Sequence, residues 1–169
     1  MNKNFILLLD GMGGAGKTTT SKFLADKVPR MATVGIDKIK RFVSDFERGV
    51  RDNQIAREVS FVMAEKYLDL GLPVVIDHPF RLKEDVEAYE KLAKKHDIPC
   101  YKYQLCADPD TALQRVIERT KETKGDLPEE RAKQNISLFE THEDFGFTII
   151  DTTDCSPQHA AEQIIKDLQ

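Results

Sequence analysis

The clearest pattern in the chain is the return of short apolar runs between longer segments of amphipathic spacing. Phe5-Ile6-Leu7-Leu8-Leu9 is apolar at every position, which predicts a strand buried on both faces, as in a parallel sheet. Lys17 to Val28 follows with apolar residues at Phe23, Leu24 and Val28, a helical spacing. Thr33-Val34-Gly35-Ile36 predicts a short second strand, and Lys38 to Arg48 a helix through Ile39, Phe42, Val43 and Phe46. From Arg51 to Leu70, the residues Ile55, Val59, Val62, Met63, Tyr67 and Leu70 predict one long helix with a single apolar stripe, stopped by Gly71.

The alternation continues to the end of the chain. Pro73-Val74-Val75-Ile76-Asp77 predicts a third strand ending on a carboxylate, covered by a helix through Leu82, Val86, Tyr89, Ala93 and His96 that Pro99 ends. Cys100 to Cys106 alternates and is rich in aromatics, the mark of a fourth strand, and Asp108-Pro109 starts a helix carrying Leu113, Val116 and Ile117. Residues 119–131 have almost no apolar side chains and are expected to form a mobile lid. Pro128 to Phe139 resumes helical spacing through Ala132 and Ile136. Phe147 to Ile150 predicts a fifth strand, and Ser156-Pro157 caps a last helix. Strands alternating with helices imply an α/β fold, a five-stranded parallel sheet wrapped on both faces, with ligands at the strand carboxyl ends.

The chemistry enters at the first strand-to-helix junction. Gly11-Met12-Gly13-Gly14-Ala15-Gly16-Lys17-Thr18 satisfies G-x-x-x-x-G-K-T, between a strand and a helix. Glycines let consecutive backbone N–H groups curl toward phosphate oxygens, and the helix N-terminus adds partial positive charge. Lys17 is expected to reach the β- and γ-phosphates of a nucleoside triphosphate, Thr18 to complete the coordination of Mg²⁺, and Thr19 to meet the α-phosphate. Gly11, Gly13, Gly14, Ala15 and Gly16 supply the cradle. Asp37 and Asp77 end the second and third strands and so converge on the same edge. Asp77 is the candidate to hold Mg²⁺ or to orient an acceptor, against the alternative of a turn residue. His78 reads as a packed turn histidine at least as readily as a substrate contact, and Arg81 and Arg131 read as solvated arginines more readily than as clamps for an anionic acceptor.

Composition narrows the picture only a little. A chain of 169 residues fits one domain, and a formal charge of −4 gives no sign of a generally basic nucleic-acid surface. Cys100, Cys106 and Cys155 are odd in number and lack metal-ligand spacing, and the first two lie in a strand pattern where a thiol packs as a small hydrophobe. The first strand begins within a few residues of Met1, and no apolar run approaches the roughly 20 residues of a membrane span, so a cytoplasmic protein is expected.

With these residues in view, the chain resembles the small P-loop kinases, the group of shikimate and gluconate kinases, chloramphenicol phosphotransferase, polynucleotide kinase and zeta toxins. The resemblance spans nearly the whole chain and rests on Gly11 to Thr18, Gly35-Ile36-Asp37, the stretch Val74 to Arg81, and Leu113 to Thr120. It implies an ATP- and Mg²⁺-dependent transfer to a hydroxyl of a small molecule or a nucleic-acid end. It also implies a role for Asp37 as general base and for Arg115 and Arg119 as arginines that contact the transferring phosphates. Asp10 before the glycines is similar to thymidylate kinases, which keeps a nucleoside monophosphate acceptor open, but Asp77 is followed by His78 rather than by arginine. A domain that binds ATP without transferring phosphate is a third reading. Thr123-Lys124-Gly125-Asp126 formally matches a guanine-recognition string, but no buried strand precedes it, and no D-x-x-G follows the third strand. Asp37 has a rival role as a helix N-cap.

Overall fold

The computed structural model describes residues 4–47, 49–123 and 128–168. Its centre is β1 (Ile6–Gly11), whose side chains alternate between two cores: Ile6 and Leu8 point to one, Leu7 and Leu9 to the other, all fully buried. Burial on both faces explains why this strand has no polar position before Asp10. The other strands are β2 (Ala32–Gly35), β3 (Val74–Asp77), β4 (Cys100–Cys106) and β5 (Thr148–Asp151), and the sheet order is β2-β3-β1-β4-β5 with every pairing parallel. The five-stranded parallel α/β fold expected from the alternation is therefore present.

Helices cover both faces. On one lie α1 (Lys17–Lys27) and α7 (Pro157–Asp167), with Leu24, Ala160 and Ile164 in the core beneath Leu7, Leu9 and Leu105. On the other lie α2 (Ile36–Lys40), α3 (Val50–Asp69) and α4 (Lys83–Lys95) over Ile6, Leu8 and Ile76. The helices α5 (Pro109–Thr123) and α6 (Glu129–Ser137) stand beyond the carboxyl end of β4, and a 3₁₀ turn, Glu143–Phe145, leads into β5. The central four residues of the expected lid, 124–127, and with them most of the Thr123 to Asp126 string, lie outside the described residues. Among the described residues, no helix is long and apolar enough to cross a membrane.

Three local expectations are corrected. The second strand stops at Gly35, and the helix after it spans only Ile36–Lys40, not Lys38 to Arg48; Phe42 at 80% and Val43 at 43% exposure have no core to pack on. Because α2 begins at Ile36 after Gly35, Asp37 sits inside its first turn and caps nothing, which removes the N-cap role. The apolar stripe on α3 faces elsewhere than its large residues suggest. Ala56, Ser60, Ala64 and Leu68 are buried, whereas Ile55, Val59, Val62 and Leu70 are exposed. The small side chains let α3 approach the sheet closely, with Phe61, Met63 and Tyr67 packed at its flanks.

Candidate active site

The strand order reverses at β1, so the carboxyl ends of β1 and β3 open a crevice, the usual ligand position in such sheets. A cleft of about 570 Å³ lies there. The loop 11–16 and the start of α1 form its floor through Gly11, Gly13, Gly14, Gly16, Lys17, Thr18 and Thr19, and Asp37, Pro79, Arg81 and Arg119 stand around it. The far wall comes from the end of α6 and the segment leading on to the 3₁₀ turn, including Asn135, Phe139, Glu140 and His142.

Two glycines in the loop have backbone angles that exclude other residues. Gly14 has φ +86°, and a Cβ there would lie 2.2 Å from the Ala112 carbonyl oxygen on α5. Gly16 has φ +88°, with Pro157 of α7 2.9 Å from a built Cβ. The loop is thus held in the left-handed region that turns its amides toward the cleft. Ala15 is fully buried beneath that floor; its amide donates to the Met12 carbonyl at 3.1 Å, and its carbonyl accepts from the Thr152 hydroxyl at 3.0 Å. Ala15 therefore fixes the loop from behind.

Lys17 Nζ donates to Asp77 Oδ1 at 2.6 Å, and Ser21 Oγ donates to Asp77 Oδ2 at 3.4 Å. Asp77 is thus brought directly against the phosphate loop, which the turn-residue reading does not explain. Thr18 and Thr19 are exposed at the mouth of the loop. Asp37 is 91% exposed on the cleft wall, and its carboxylate accepts from Lys40 Nζ at 3.3 Å. Thr18 and Asp77 offer hard oxygen donors beside the loop, a set that suits Mg²⁺ better than a soft metal.

The two arginines of α5 diverge. Arg119 lines the cleft. Arg115 does not: its Nη2 donates to the carbonyls of Thr152 and Thr153 at 2.9 Å each, holding the turn between β5 and α7. The expectation that both face the phosphates is corrected for Arg115, because two carbonyls that accept from its Nη2 hold the guanidinium at that turn. Arg81 joins the cleft, and Arg131 is exposed on α6 away from it.

His78 is a packed residue, 1% exposed and set against Phe80 with ring centroids 4.1 Å apart and the planes tilted by 30°. Desolvation by burial lowers its pKa to about 4, with Lys17 and Arg57 acting in the same direction. Burial also pushes the Cys100 thiol up to about 12, and all three cysteines are free. Residues that periodicity does not single out complete the site. They are Asp10, Asn135, Glu140 and His142 around the cleft, Gln104 buried behind it and Thr152 behind the loop. The one available signal is a carboxylate, Asp10, at the end of an otherwise apolar strand.

This arrangement, a phosphate loop at the switch point of a parallel sheet with a carboxylate and an arginine across the cleft, defines a P-loop phosphotransferase of the kinase type. The AAA_33 family model, an AAA domain, matches residues 6–142, and the chain belongs to that family. A curated shikimate kinase from Enterococcus faecalis (strain ATCC 700802 / V583) is 28% identical over 178 residues, covering 96% of this chain and 98% of its own. Among solved structures, the Mycobacterium tuberculosis APS kinase CysC in complex with AMPPNP and APS superposes with a TM-score of 0.73 at 15% identity, over 98% of this chain and 97% of that one. A sugar kinase from Janibacter sp. HTCC2649 gives 0.68 at 14%, over 98% and 94%. These two structures share the fold.

Proposed function

We propose that the chain transfers the γ-phosphoryl group of ATP to a hydroxyl of a small molecule, in the cytoplasm. The observation that carries this reading is the placement of Asp37, an exposed carboxylate with no capping duty, on the wall of the cleft whose floor is the phosphate loop. A nucleotide-binding module has no use for a base there.

The loop amides and Lys17 receive the β- and γ-phosphates, Lys17 moving from Asp77 to the phosphate oxygens as the triphosphate enters. Mg²⁺ held through Thr18 and Asp77 would offset charge on those oxygens. The acceptor lies between Asp37 and the loop. Its hydroxyl oxygen forms a bond to the γ-phosphorus, the bond from that phosphorus to the ADP oxygen breaks, and the proton passes to the Asp37 carboxylate. Arg119 faces the charge that spreads over the transferred group. Arg115 acts from behind, through the turn at Thr152 and Thr153.

The shikimate kinase, APS kinase and sugar kinase among the similar proteins support hydroxyl-bearing small molecules as the first acceptors to try. The test is an ADP-release assay with Mg·ATP across shikimate, adenosine 5′-phosphosulfate, sugars, nucleosides, hydroxylated antibiotics and oligonucleotide 5′ ends, with an acceptor-free control. Turnover above the control with one class of hydroxyl, lost in Lys17→Ala, is expected. No stimulation by any acceptor, with Mg·ATP still bound, would overturn the reading in favour of a nucleotide-binding module.

A further inference from the structure

The carboxylate of Asp10 is the point where three walls of the cleft meet. It is 3% exposed at the end of β1. Its Oδ1 accepts from the Gly11 amide at 2.6 Å, and its Oδ2 accepts from the Phe80 amide at 3.3 Å and from Gln104 Nε2 at 3.0 Å. Gln104, fully buried on β4 and in register beside Asp10, carries the connection onward. Its Nε2 also donates to the Glu140 carbonyl at 3.0 Å, and its Oε1 accepts from the His142 amide at 2.8 Å.

Two side chains therefore tie together the start of the phosphate loop, the turn 79–81 and the segment 140–142. Pro79, Arg81, Glu140 and His142 on those segments all line the cleft, opposite the residues of α1 that meet the phosphates. A carboxylate buried between two strands is expensive, since removing it from water disfavours its charged form. Asp10 shows this cost in a pKa raised by desolvation. An ionised carboxylate, however, is an acceptor at both oxygens, so it can receive three N–H groups arriving from three directions, which a neutral amide cannot.

We propose that Asp10, acting through Gln104, is a positioning residue that sets the spacing of the acceptor side of the cleft and so determines which acceptor fits. Its effect on acceptor choice rests on the phosphotransferase reading above; its control of the two walls does not. Asn at position 10 turns one acceptor oxygen into a donor facing N–H groups. Glu at position 104 sets a second carboxylate against the first. In the double variant, the Asn amide donates to the Glu carboxylate, so the contact between the two side chains reforms with its polarity reversed, while the Phe80 amide and the Glu140 carbonyl lose their partners.

The experiment uses the full chain in four forms: wild type, Asp10→Asn, Gln104→Glu and the double variant. Amide hydrogen exchange without any acceptor is expected to accelerate at Phe80 and His142 by at least about tenfold in each single variant. In the double it is expected to recover at His142, whose amide the carboxylate at position 104 still accepts, and to stay fast at Phe80, whose amide then faces a donor; the recovery at His142 is a coupling that independent sites lack. Mg·ATP affinity by calorimetry is expected to stay within about fivefold, because the phosphate loop keeps its glycines and Lys17. With an acceptor that turns over in the panel above, KM for the acceptor is expected to rise at least about tenfold while kcat and KM for ATP change little. Unchanged exchange at both amides, an additive double variant at His142, or equal losses toward ATP and acceptor would overturn the proposal. Failure of the whole acceptor panel bears on the phosphotransferase reading alone, and the exchange result still decides the proposal. If Asp10→Asn does not fold, Gln104→Glu must show the same exchange pattern at His142 and the same selective loss, or the proposal fails.

Discussion

At the scale of single residues, the cleft separates groups that face ligand from groups that hold the frame. Asp37 belongs to the first kind. It is 91% exposed and pairs with Lys40 at 3.3 Å in an i, i+3 contact, the kind worth only a few tenths of a kcal/mol. Asp37→Asn is therefore expected to leave the melting temperature within about a degree and to lower phosphoryl transfer by at least about a hundredfold; transfer at the wild-type rate would return Asp37 to an ordinary surface role. His78 belongs to the second kind. Its pKa falls from 6.5 to about 4 in the folded chain, so the unfolded state binds more protons between those values. Stability rises with pH across that window and is lost as pH falls through it. The loss assigned to His78 by pH 4 is on the order of 3 kcal/mol. Urea titrations from pH 7 to pH 4 should then give wild type a steeper decline than His78→Gln, by about that amount. Parallel declines would mean that the imidazole stays hydrated in the native state.

At the scale of elements, the phosphate loop is locked by the residues packed behind it. A Cβ on Gly14 would meet the Ala112 carbonyl at 2.2 Å, with φ at +86°, so Gly14→Ala adds a clash to a left-handed cost of about 1–2 kcal/mol. It is expected to lower stability by at least that amount in urea titration and to weaken Mg·ATP binding. The same comparison made at Gly13, whose Cβ would meet nothing within 4 Å, is expected to be far milder. The helix α5 shows how two residues one turn apart divide their work. Arg119→Ala is expected to lower kcat roughly a hundredfold, the scale of a lost preorganised donor. Arg115→Ala, which frees the carbonyls of Thr152 and Thr153, is expected to act mainly on KM for ATP. The reverse assignment in steady-state kinetics would sink this division. These elements also mark the limits of sequence reading. β1 and β4 follow directly from apolar runs and alternation, and the loop from a local string, because in each the physical cause lies within a few residues. The buried face of α3 does not, since Ala56, Ser60 and Ala64 are small enough to allow close approach to the sheet while Ile55, Val59 and Val62 stay outside. Nor do the links from Asp10 to Gln104, 94 residues apart, or from Thr152 to Ala15, 137 apart. No periodicity encodes such a contact, which exists only once the sheet order places β1 beside β4 and α7 beside α1.

At the scale of the whole molecule, the phosphate loop is where distant parts of the chain are fastened together. Asp77 from β3 holds Lys17, Thr152 beyond β5 holds Ala15, Ala112 of α5 packs on Gly14, and Pro157 of α7 packs on Gly16. Both cores meet the strand that leads into it. A ligand that binds this loop only when it is folded must therefore stabilise the assembly of all these elements and not one helix. For one site, the linkage is RT ln(1 + [L]/Kd), about 2.7 kcal/mol at a hundredfold excess over Kd. For a chain of this length, that corresponds to a rise in melting temperature of roughly 5–10 °C. Wild type scanned with and without Mg·ATP is expected to show such a rise as one shifted transition, since the elements that fasten to the loop unfold together. Lys17→Ala is expected to keep its helical circular dichroism and to lose the rise, whatever its own starting melting temperature after Asp77 has lost its cation. Two resolved transitions, only one of them moved by ATP, would show that part of the fold unfolds independently of the loop. An undiminished rise in Lys17→Ala would show that the nucleotide is held somewhere other than the cleft at the end of β1.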